Sequence, residues 1–207
     1  MTDIDDLVTD IVNIEWKMFQ SVPNAGGKAS CQEDYETFKI NRFSQMMSWS
    51  EDALESYLCD LTEAEKNERN LLTEKYARMM QSTSPSEYAR IEHLLPPLDP
   101  EVPDLIDRIV DIVLEWEEAL SIKYPHILSK GRPLHSSADT PFATSKETYL
   151  RGELATYSAK TLRLYLGNAL KQQSENVNGS EIILDSMMKQ YGFSSVEDAN
   201  YKLGQRQ

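Results

Sequence analysis

Residues 4–22 read Ile-Asp-Asp-Leu-Val-Thr-Asp-Ile-Val-Asn-Ile-Glu-Trp-Lys-Met-Phe-Gln-Ser-Val. Ile4, Leu7, Val8, Ile11, Val12, Met18, Phe19 and Val22 recur three and four apart, the spacing that lines one face of an α-helix. Asp3, Asp5 and Asp6 lie in its first turn, where carboxylates suit the positive end of the helix dipole. Pro23-Asn24-Ala25-Gly26-Gly27 then stops the pattern, so the spacing predicts a helix from about Asp3 to Val22.

The same period continues along the chain. It predicts helices at about Tyr35 to Met47, then from a capping-box spacing at Ser48-Trp49-Ser50-Glu51 to about Lys66, then around Leu71, Leu72, Tyr76, Met79 and Met80. A short helix, about Glu87 to Leu94, lies between Ser82-Thr83-Ser84-Pro85-Ser86 and Leu95-Pro96-Pro97-Leu98-Asp99-Pro100. Beyond the prolines, Leu105, Ile109, Ile112, Trp116 and Leu120 mark a helix from Pro103 to about Ile122. A long loop, Tyr124 to about Ser145, precedes helices at about Lys146–Thr156, Ser158–Gln173 and Gly179–Tyr191, and a short one from Ser195. Glycine numbers only 8 in 207 residues, roughly half its usual share of ~7 %. The predicted fold is all-α.

Acidic residues outnumber basic ones 34 to 21, a net charge of −13. That charge repels phosphate backbones and anionic lipid heads, so neither a nucleic acid nor a membrane is expected as partner. The apolar stretches are far shorter than the ~20 residues that span a bilayer. Two cysteines, Cys31 and Cys59, are too few for a disulfide scaffold, and the acidic start lacks the features of a signal peptide. A cytoplasmic protein is expected.

The two halves read as copies. Asp6-Leu7-Val8 matches Asp104-Leu105-Ile106; further on, Leu54, Tyr57 and Leu58 match Leu162, Tyr165 and Leu166, and Met79-Met80 matches Met187-Met188. Apolar helical stripes also match one another by chance. If the match is a tandem duplication, residues 1–84 and 103–207 are similar helical halves about a pseudo-twofold axis, joined by a proline-rich connector at 85–102. Equivalent loops then meet, and a cleft forms between the halves.

Gly26-Gly-Lys-Ala-Ser-Cys-Gln, Gln45-Met-Met-Ser-Trp-Ser, Asn70-Leu-Leu-Thr-Glu-Lys-Tyr-Ala-Arg-Met-Met, Gly131-Arg-Pro and Thr148-Tyr-Leu-Arg-Gly-Glu-Leu resemble a bacterial family defined as domain of unknown function number 4125. The resemblance covers nearly the whole chain. It implies a cytosolic bacterial helical protein, and in some relatives the domain is fused to a nucleotidyltransferase-like domain. It supplies no activity and no catalytic residues.

Candidate functional residues come from the chain itself. Glu15 sits on the apolar line Ile11–Glu15–Met18–Val22, where a carboxylate must be paired, protonated or at a cleft; it is the candidate acid/base group. Lys28 and Cys31 on one loop match Arg132 and His135 on the other. Converging loops would turn two cations toward an anion and offer Cys31 with His135 as a nucleophile–base pair, or the polar groups simply hold the loops together. Arg42, Tyr149, Arg151 and Glu153 lie next to core positions and either line the cleft or form a salt-bridge network; Gly152 among them points to a close backbone or ligand approach. Trp49 and Tyr157 read as core anchors. No phosphate-binding glycine loop, CxxC or HExxH motif is present, and His93, His126 and His135 lack metal-ligand spacing, so no metal site is assigned and the cofactor stays unknown. The expected function is binding of a small polar or anionic ligand between the halves, with or without catalysis: Glu15 and His135 for chemistry, and Lys28, Cys31, Arg42, Arg132, Tyr149, Arg151 and Glu153 for contacts. The alternative is a helical protein–protein interaction module with no catalysis that acts with a nucleotidyltransferase-like protein as partner.

Overall fold

The stripe of the first helix is its buried face. Leu7, Val8, Ile11, Val12, Met18 and Phe19 are buried, and only Ile4, in the first turn, stays exposed. The structure is a computed structural model that describes residues 4–24, 26–129 and 131–205; Asp3 and Ala25 lie outside the described residues. Eleven α-helices form among the described residues: α1 (Ile4–Gln20), α2 (Tyr35–Met46), α3 (Glu51–Lys66), α4 (Leu71–Thr83), α5 (Pro85–Ile91), α6 (Val102–Lys123), α7 (Pro125–Leu128), α8 (Lys146–Leu154), α9 (Ala159–Ser174), α10 (Gly179–Gln190) and α11 (Val196–Gly204). No strand occurs among them, only an isolated bridge between Thr140 and Ala143. None of the helices is long and apolar enough to cross a membrane.

Side-chain caps set most of the starts. Asp34, Asn70, Ser145, Ser158, Asn178 and Ser195 each accept a hydrogen bond from the backbone N–H three residues on. The capping box expected from Ser48 does not form. Its hydroxyl donates to Gln45 O in the last turn of α2, and α3 begins after Ser50, which makes no side-chain cap bond.

The main core cluster is drawn from both ends of the chain. α1 packs on α3, α6 packs on α9, and α3 and α9 lie against each other at the centre. There the Ser56 and Thr161 hydroxyls meet at 2.8 Å, and Asp60 accepts from Ser158 N and from the Thr161 hydroxyl. α4 packs on α8, and α10 packs on α2. A smaller cluster of Leu120, Tyr124, Leu184, Met188, Val196 and Ala199 seats α11. Elements along the chain recur at one displacement: Glu51 and Lys66 bound α3, and Ala159 and Ser174, each 108 residues later, bound α9. The caps Asn70 and Asn178 keep that displacement, as do Glu68 and Asn176, the non-glycine residues with positive φ.

Gly152 lets α8 approach α4. A Cβ there would lie 2.6 Å from Met79 Cγ and 3.0 Å from Lys75 O. The methionine can swing aside but the helical carbonyl cannot. Gly152→Ala is therefore expected to destabilise by about 1–3 kcal/mol, although alanine is otherwise the better helix former. Chemical denaturation measures it, and an unchanged or raised stability would show that the two backbones are not this close.

Candidate functional site

Glu15 is fully buried on α1, and both its oxygens are occupied. Arg42 on α2 grips it with Nε at 2.7 Å and with Nη2, while the Tyr57 hydroxyl on α3 donates at 2.6 Å. From the same guanidinium, Nη1 reaches Glu153 on α8 at 2.8 Å and Gln45 at 2.7 Å. Glu153 also accepts from Lys75 Nζ on α4 at 2.6 Å, from Gln45 and from the Tyr157 hydroxyl. Two carboxylates and two cations thus close a neutral network that ties α1, α2, α3, α4 and α8 together. Dry charges are costly unless their geometry satisfies them, and here each is satisfied.

The network sets its own protonation. Burial pushes the Glu153 carboxyl up, but Arg42 and Lys75 outweigh it and hold the group well below the usual carboxylate range. Burial alone would lower Arg42; Glu15 and Glu153 hold it well above its ordinary value. Burial raises the Tyr57 and Tyr157 hydroxyls, and the adjacent carboxylates raise them further. Glu153 is therefore held as its anion, and the two phenols stay protonated.

Above the network lies a cavity of about 290 Å³. Its floor is Glu15, Arg42, Lys75 and Glu153; Phe19, Phe38, Leu72 and Tyr76 make its walls largely apolar, with Asp34, Thr37, Asn41 and Thr156 as polar members. Two loops reach its rim. The first is latched by buried Gln32, whose amide donates to Phe19 O and Val22 O and accepts from Ala29 N and Asn24, so Cys31 lands on the cavity. The second is held by Asp139, which accepts from Ser145 N, Ser82 and Thr148. Arg132 on that loop donates to Thr144 O at 3.2 Å, and its guanidinium lies 5.1 Å from the ring centroid of Tyr149. Lys75 Nζ lies 3.6 Å from the same centroid.

Glu15, Cys31, Arg42, Arg132, Tyr149 and Glu153 thus share one cavity, and Arg42 and Glu153 form the network as well as lining the cleft. Lys28, His135 and Arg151 do not join them. Lys28 is an exposed loop residue, and His135 points to Glu118 at 3.2 Å, so no Cys31–His135 pair forms. Arg151 pairs with Asp107 and Glu147 and borders a separate cavity of about 420 Å³. Trp49 and Tyr157 are packed with Tyr57 and Tyr165 in a buried aromatic cluster. Both cysteines are free and exposed, and no cluster of metal-ligating side chains occurs among the described residues.

Lys75 is the functional residue that the sequence reading passed over. It lies on the apolar line between Leu71 and Met79, an anomaly of the same kind as Glu15 and of opposite sign. Gln32 carried no such signal, because a loop has no period.

The fold and site define an all-helical protein with a buried charge network beneath an apolar-walled cavity. The chain belongs to the protein family of unknown function DUF4125, whose family model matches residues 5–201. No match was found among curated proteins or among solved structures.

Proposed function

We propose that this protein binds a small anion with an apolar or aromatic body in the cavity above the charge network, with Arg132 as its anchor. The observation that carries this reading is the state of the cations. Arg42 and Lys75 are matched by buried carboxylates, whereas no carboxylate of the described residues lies within 4.0 Å of Arg132. A guanidinium beside an aromatic ring at the mouth of an apolar cavity suits a carboxylate or phosphate carried on a ring. Tyr149 flanks the anion, Cys31 sits at the rim, and the network below fixes the floor. Glu15 meets the cavity with both oxygens engaged, so chemistry by it requires one of those bonds to open first.

We also read the chain as a doubled unit, residues 1–84 and 103–207, with 85–102 as connector. The recurrence of helices, caps and positive-φ residues at 108 supports this. So does the exchange of partners, α4 on α8 and α10 on α2. Free exposed Cys31 and Cys59 suit a reducing cytosol.

Thermal-shift titration with phenyl phosphate and phenylacetate tests the binding reading. One of them is expected to raise the melting temperature of the native chain. Arg132→Ala is expected to weaken that binding by roughly 10- to 100-fold, the worth of a charge-assisted hydrogen bond. Binding that is unaffected by Arg132→Ala, or no binding by either compound, overturns the reading.

A further inference from the structure

A second cavity, of about 350 Å³, adjoins the first and shares Asn41, Arg42, Arg132 and Tyr149 with it. Beside Gln45, Ser48 and Glu117, its walls come from later in the chain, including Tyr165, Asn168, Gln172 and Ser180. The chemistry of those walls differs. Asn168 and Gln172 both donate their amide N–H to Ser48 O, at 2.7 and 2.9 Å, and Asn41 donates to Thr37 O at 2.7 Å. Those donations fix the amide orientations and leave three carbonyl oxygens that accept nothing from the described residues. The buried Ser180 hydroxyl likewise has no protein partner among them. Such a wall of acceptors calls for a ligand rich in donors, and neutral hydroxyls supply them without a charge.

We propose that the two cavities hold the two ends of one elongated ligand: a flat ring in the first, a phosphate or diphosphate at Arg132 between them, and a hydroxylated group in the second. This is the chemical class of the nucleotide-linked sugars. It rests on the anion-binding reading above and extends it. Phe19, Phe38 and Tyr76, stacked on one another, line the first cavity and give it the aromatic surroundings that a planar ring shares. Arg132 is the cation that borders both cavities without a carboxylate partner. The two volumes together fall within the range of small-molecule sites.

Calorimetric titration of the full chain with uridine diphosphate glucose, and separately with its two ends, uridine monophosphate and glucose 1-phosphate, tests this. The long probe is expected to bind at least about tenfold more tightly than either end, one per chain, because joined groups do not each lose their freedom of motion on binding. Ser180→Leu, which fills the second cavity, is expected to reduce the long probe to the affinity of uridine monophosphate and to leave phenyl phosphate within about twofold. Ser180→Ala, which keeps the backbone and the packing, is expected to weaken the long probe about three- to tenfold through one lost hydrogen bond. A long probe no tighter than its ends, or one indifferent to both Ser180 variants, overturns the two-cavity ligand. Phenyl phosphate binding that still depends on Arg132 would then leave the anion-binding reading standing; loss of that binding as well would remove both.

Discussion

Replacing Arg42 by methionine is expected to lower the stability of the fold by about 3–5 kcal/mol, the cost of stranding buried charge. The guanidinium holds Glu15 through two nitrogens and Glu153 through a third, and both carboxylates are almost wholly out of water. Methionine fills a similar volume but donates nothing. Glu15 would keep only the Tyr57 hydroxyl, and Glu153 would keep Lys75, Gln45 and Tyr157. The asymmetry makes Glu15 the main casualty. For a chain of this length the loss corresponds to a fall in melting temperature of about 10–15 °C. The double variant Arg42→Met with Glu15→Leu is expected to recover roughly 1–3 kcal/mol, because it removes the orphaned charge along with its partner. A single variant within 1 kcal/mol of the native chain in chemical denaturation, or a double variant worse than the sum of its parts, would contradict the network as described.

The network was only partly legible in the sequence, for a physical reason. A charge set into an apolar helical line is visible from the line itself, so Glu15 stands out between Ile11 and Met18. What satisfies it is not visible. Arg42 lies 27 positions away from Glu15 and 111 from Glu153, and no local period connects them. Arg151 and Glu153 share one role in the sequence reading, but two positions apart they occupy different faces of α8, one facing Asp107 on α6, the other facing α2 and α4. Loops gave less. Lys28, Cys31, Arg132 and His135 were grouped by their matching places along the chain, yet only Cys31 and Arg132 meet at the cavity. Their directions are set by Gln32 and Asp139, whose partners lie on neighbouring helices. The all-helical class was legible because it rests on apolar spacing and scarce glycine alone.

Stability is also expected to depend on acid in a way that one carboxylate explains. Burial works against the Glu153 anion, but Arg42 and Lys75 hold its folded value well below that of an unfolded glutamate, near pH 4 to 4.5. A group depressed by folding contributes its full stabilisation above its unfolded value and loses it as the pH falls toward its folded one. The native chain should therefore hold steady from pH 7 to about 5 and then lose on the order of 3 kcal/mol on this account as the pH drops further. Asp139 and Glu147 add to the same slope: burial raises both, yet Ser82, Thr148 and Ser145 bonds lower Asp139, and Ser136 and Arg151 lower Glu147. Glu153→Gln removes the titration without removing the shape. At pH 7 it should cost about 3–5 kcal/mol, since Lys75 and Arg42 lose a counter-charge. Between pH 5 and 3 its disadvantage should shrink, because Glu153 of the unfolded native chain then takes up a proton that the folded chain refuses, and unfolding is favoured. At the other limit, the raised Tyr57 and Tyr157 hydroxyls keep their contribution below about pH 10 and lose it as the pH climbs, since an ionised phenol would press a further negative charge on Glu15 or Glu153. Denaturation curves of both chains at successive pH values decide the matter: stabilities that converge in acid place the anion in the core, and parallel ones would mean that folding leaves the Glu153 carboxyl where it stands in the unfolded chain.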